Sequence, residues 1–121
     1  MAKRFPNVLQ KREMLYEGNT TPEQLSAQAK EFVEAKRYAE ALDFYNAAGN
    51  TDEIKQQRQA AIERGELFIY ESACRFLGED PVVSDLEQIA KTASSNGRES
   101  YARRVEEEYL KSDEEEEVEE E

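Results

Sequence analysis

Between Lys36 and Gly49, apolar and aromatic side chains return at three- and four-residue steps: Tyr38, Ala41, Leu42, Tyr45 and Ala48. That spacing commits the stretch to a helix with one buried face, because such positions stack on the same side. Ala41 is small among large neighbours, which lets a second helix approach closely, and Gly49 supplies a left-handed stop. The preceding stretch, 25–36, has the same habit, with Leu25, Ala29, Phe32 and Val33 on one side. Two such helices with a hinge near Lys36 and Arg37 make an antiparallel hairpin. No periodic β-branched run competes, since Pro81-Val82-Val83 is too brief to found a sheet. The expected fold class is all-α.

Boundary signals extend the pattern along the chain. Asn7 can cap a short helix over 8–17 that ends at Gly18. Thr21-Pro22-Glu23-Gln24 reads as a capping box with proline at the first helical position. Asn50-Thr51-Asp52-Glu53 opens a third helix, with Ile54, Arg58, Ala61 and Ile62 on one side and Gly65 at its close. The helix after it carries Leu67, Tyr70, Cys74 and Leu77 on one face, widened by Phe68, Ile69, Ala73 and Phe76, and is expected to be central to the core. Gly78 ends it, and Pro81 prevents continuation. Ser84-Asp85-Leu86-Glu87 reads as another capping box, opening a helix with Leu86, Ile89, Ala90 and Ala93 inward. A last helix from about Arg98 presents Tyr101, Ala102, Val105 and Tyr109.

The central pattern repeats. A shift of 29 residues lays Tyr38, Ala41, Tyr45, Ala48 and Gly49 over Leu67, Tyr70, Cys74, Leu77 and Gly78, and a shift of 61 lays Ala41, Phe44 and Ala48 over Ala102, Val105 and Tyr109. The reading is three stacked antiparallel hairpins, about 22–48, 53–77 and 85–111, because each hairpin alone leaves an apolar face bare. The domain spans 20–112, preceded by a basic arm with a short helix over 1–19 and followed by a disordered acidic tail over 113–121.

On these residues the chain resembles the tetratricopeptide family. Its first helix takes a small residue and an aromatic, here Ala29 and Phe32. Its second takes an aromatic and an alanine three apart, here Tyr38 and Ala41, then Tyr45 and Ala48. Residues 25–50 carry the likeness best. Tyr70 stands where the pattern has alanine, no proline closes the first repeat, and the period is nearer 29–32 than 34. The resemblance implies a helical-repeat module that binds a protein or peptide segment in the groove between hairpins, with Lys30, Arg37, Tyr38 and Tyr45 as candidate partner-binding residues. Lys30 and Arg37 are expected to be exposed.

Charge and chemistry narrow the alternatives. The net charge is −12, but residues 113–121 hold eight carboxylates, which leaves −4 on residues 1–112. The stretch from Lys3 to Gly18 is positive, at +2, and it suits either an acidic partner or an intramolecular one. Clustered Lys and Arg for a nucleic-acid backbone are not evident. No apolar run approaches membrane-spanning length, and Met1-Ala2-Lys3-Arg4 is not followed by a signal-peptide core. The single cysteine, Cys74, excludes an internal disulfide and fits a reducing cytoplasm.

The absence of histidine removes the commonest general base and metal ligand, and with it any Ser–His or Cys–His pair. Glu31 with Glu34, or Glu40 with Asp43, would be the simplest carboxylate pairs, at a spacing that arises constantly in acidic helices. No enzyme activity, metal or cofactor is expected. The aromatics, Tyr16 and Phe68 among them, mostly fall on faces expected to be buried. A second class of function, an acidic regulator whose tail engages a basic protein or mimics nucleic acid, rests on 113–121. A homodimer through an uncapped end hairpin is a further expectation.

Overall fold

The computed structural model describes residues 5–95, 97 and 103–110. Among them every regular element is helical: α1 (Val8–Tyr16), α2 (Pro22–Glu34), α3 (Tyr38–Ala47), α4 (Thr51–Arg64), α5 (Leu67–Leu77) and α6 (Val83–Ser95). A closing helical run from Arg103 ends in a π-helical turn, Glu106–Leu110. Tyr101, Ala102 and the tail 113–121 lie outside the described residues. The chain divides into two compact units within α4, one ending at Ile54 and the other beginning at Lys55.

In the first unit, local chemistry sets each helix start. Asn7 and Gln10 form a reciprocal capping box before α1, with both side chain–backbone bonds at 2.9 Å. Thr21 and Gln24 do the same before α2, where Pro22 takes the first position. Helices α2 and α3 pack as the expected hairpin. Leu25, Ala29 and Phe32 of α2 are buried, as are Ala41, Leu42, Phe44 and Tyr45 of α3. Ala41 has no exposed surface. Asn50, just past α3, reaches Ser26 near the start of α2, which closes the antiparallel pair. Helix α1 is different in kind, since none of its residues is buried and Tyr16 is 79% exposed, against the expected burial.

Four helix ends share one hydrogen-bonding pattern. After α2, α3, α4 and α5 the residue in the left-handed region donates three residues back, and its successor donates five back. Gly49, Gly65 and Gly78 occupy three of these positions, but the one after α2 is Lys36, at φ 62°. A side chain there is strained in a way glycine is not. At Gly65 glycine has a second reason, because a Cβ would lie 2.8 Å from the backbone nitrogen of Ala93 in α6.

The core of the second unit is built on α5. Leu67, Ile69, Tyr70, Ser72, Ala73 and Cys74 are buried there, as are Leu86, Ile89, Ala90 and Ala93 of α6 and Ala61 and Ile62 of α4. Helix α5 is not apolar on every buried side, however, since Phe68 is 52% exposed and faces away from the core. The expected capping box at Ser84 is also not how α6 begins. The helix starts one residue earlier, with Leu86 donating to the Val82 carbonyl, so Ser84 falls inside the first turn. Asp85 instead accepts from the Tyr70 hydroxyl at 2.9 Å, and that hydroxyl accepts from the Val82 amide at 2.9 Å. One buried tyrosine thus pins the start of α6 to α5. The closing run buries Val105 and is held to α5 through Glu71, which accepts from the Tyr109 hydroxyl and pairs with Arg104 at 3.4 Å.

Candidate interaction site

The start of α3 carries a dense set of directed contacts. Arg37 and Glu40 are three apart, so they meet on one helical face. The guanidinium grips the carboxylate with two bonds, Nε to Oε1 at 2.8 Å and Nη2 to Oε2 at 2.7 Å. Lys11 of α1 adds a third bond to Oε2, at 3.0 Å. Partial burial alone would raise the pKa of Glu40, but the hydrogen bonds from Arg37 and Lys11 outweigh it and hold the carboxyl below its usual value.

An aromatic row lies beside this ion cluster. The Phe5 ring stacks on Phe32 of α2 at 5.1 Å between centroids and 20° between planes, and Phe32 meets Phe44 of α3 at 5.2 Å. The Arg37 guanidinium lies over the first two rings of the row, 4.6 Å from the Phe5 centroid and 4.9 Å from that of Phe32. Arg37 therefore serves two kinds of partner with one group, holding Glu40 by its N–H edge while its charge lies near two rings. Phe32 has no exposed surface once Phe5 covers it. Two open depressions of about 540 and 530 Å³ lie along the α1–α2 seam, both lined by Met14 and Gln28.

Of the residues singled out from the sequence, the structure brings only Arg37 into this site. It is half-buried beneath its ring and carboxylate contacts, not exposed as expected. Lys30 is exposed on α2, Tyr38 is half-buried, and Tyr45 is a core residue with 5% exposure. Burial, with the Glu53 charge behind it, pushes the Tyr45 phenol up, as befits a packed side chain. Glu40 is an ion-pair partner for Arg37 and Lys11. Sequence reasoning missed Phe5, Lys11 and Glu40 as members of the site. The three-residue spacing of Arg37 and Glu40 was a usable signal, whereas nothing local ties Phe5 to Phe32.

Cys74 sits in the second unit, buried near Tyr70 and Arg58. Burial pushes its thiol up despite those neighbours, the environment of a structural thiol. No described helix is long and apolar enough to cross a membrane. No family model matches the chain, and no curated protein or solved structure matches it.

Proposed function

We propose that the chain is a non-enzymatic protein–protein interaction module that takes a protein or peptide segment on the α2–α3 hairpin, within a tetratricopeptide-like stack of three hairpins. One observation carries this reading: the hairpin already holds a length of polypeptide by directed contacts, Phe5 through ring stacking under Arg37 and Lys11 through Glu40. A surface that reads an aromatic and a cation at once has the mixed chemistry of protein recognition. The left-handed Lys36 immediately before Arg37 supports it, since backbone strain concentrates at sites under functional constraint. The repeat of small and aromatic residues between 38 and 78 supports the stacked hairpins.

A photo-cross-linking residue at Lys30, exposed on α2, tests the reading in the full chain, with the same group at exposed Lys91 on α6 as the control. Adducts formed from source lysate at position 30 and not at 91 support the hairpin as the binding surface. Equal labelling at both positions removes it. Repeating the capture without residues 113–121 addresses the acidic-regulator alternative, which requires adducts to vanish with the tail.

A further inference from the structure

We infer that residues 5–16 are a displaceable internal occupant of the α2–α3 surface, and that the partner is a protein segment with the same recognition chemistry: an aromatic side chain followed, six residues on, by a cation. This rests on the hairpin being the interaction surface, and names what it selects. The chain's own segment supplies the specification. Phe5 fills the aromatic position over Phe32 and Phe44, and Lys11 fills the cation position at Glu40.

The same segment is poorly held elsewhere. Helix α1 buries none of its residues, and Val8, Leu9 and Tyr16 are 77%, 69% and 79% exposed. Its seam with α2 is open, and its connection to α2 runs through Gly18 at φ +72°. An element with few buried contacts opens locally at low cost. The hairpin beneath cannot stay bare as easily, because losing Phe5 uncovers the face of a fully buried phenylalanine, and losing Lys11 takes one of three hydrogen bonds from Glu40. A competing segment therefore gains the contacts that residues 5–16 give up. Internal occupancy acts as a high local concentration of competitor, which weakens every external ligand in inverse proportion to the fraction of time the surface is empty.

The test uses a fluorescein-labelled synthetic peptide of residues 4–17, RFPNVLQKREMLYE, titrated by anisotropy into the full chain. The wild-type chain, filled by its own segment, should bind it weakly. Chains carrying Phe5→Ala or Lys11→Glu should bind it about tenfold or more tightly, while a peptide carrying the Phe5→Ala change should lose that gain. Lys11→Glu changes a partly exposed residue and cannot collapse the core, so it remains informative if Phe5→Ala lowers helicity in circular dichroism. Equal affinity of wild-type and both variant chains overturns the inference, as does undiminished binding of the altered peptide. A wild-type dimer at the same concentrations, abolished by Lys11→Glu, also overturns it by assigning the surface to a second copy. Cross-linking at position 30 is read independently, so adducts that persist alongside a failed titration would sink only the internal occupant.

Discussion

The α2–α3 hairpin and the α5–α6 pair put one periodicity to two uses. A shift of 29 residues superposes Ala41 on Tyr70, and both side chains have no exposed surface. At Ala41 the small side chain admits close helix packing, and the polar chemistry is moved outward to Arg37 and Glu40. At Tyr70 the large side chain fills the interior, and its hydroxyl bonds both Val82 and Asp85 at the start of α6. The departure from the tetratricopeptide pattern at position 70 is therefore a working junction. The lesson is that a seam of this kind can be closed by proximity or by a buried hydrogen bond, and only the first leaves its polar groups for use outside.

On that contrast, replacing Tyr70 by the alanine that the tetratricopeptide pattern carries should be the most damaging change. Tyr70→Ala should cost about 3–5 kcal/mol, as for other large aromatic truncations, with the Val82 amide and Asp85 left unsatisfied. Tyr70→Phe keeps the volume and should cost about 1–3 kcal/mol, which isolates the hydroxyl. Urea unfolding by circular dichroism gives both, and a Tyr70→Ala chain as stable as wild type would erase the contrast. Gly65→Ala comes next, at roughly 2 kcal/mol or more, since left-handed backbone strain adds to the close approach to Ala93.

The remaining outcomes concern the first unit and are smaller. Lys36→Gly relieves the one non-glycine member of the four matched helix ends and should stabilise by roughly 0.5–1 kcal/mol. A loss of stability there would mean that the lysine side chain does something its backbone conformation conceals. The smallest effect is the pH dependence of Glu40. Its pKa is depressed in the folded chain, so its contribution is present above the unfolded carboxyl value of about 4.3 and is lost as pH falls through the lower folded value. Amide exchange over residues 5–16 should quicken across that acid range, and Glu40→Gln should remove the dependence. The closing run responds at the other end of the scale. Burial and Glu71 push Tyr109 up to about 12, so its contribution is complete below about 10 and is lost as pH rises towards 12.

The amino-acid sequence by itself determined most helix boundaries and the principal buried stripes. The capping box at Thr21, the stops at Gly49, Gly65 and Gly78, and the stripes Leu25–Ala29–Phe32 and Leu86–Ile89–Ala93 are all decided within one or two turns. Tertiary structure alone decided what those helices do with their polar and aromatic leftovers. Phe68 faces outward although its neighbours are buried, and Asp85 serves Tyr70 where a cap was expected. Arg37 is covered by a ring from another segment, and Glu40 is shared between two cations. Helical periodicity and capping are short-range and readable in order along the chain. A stacked ring or a shared carboxylate depends on which distant segment arrives, and no local spacing encodes that arrival.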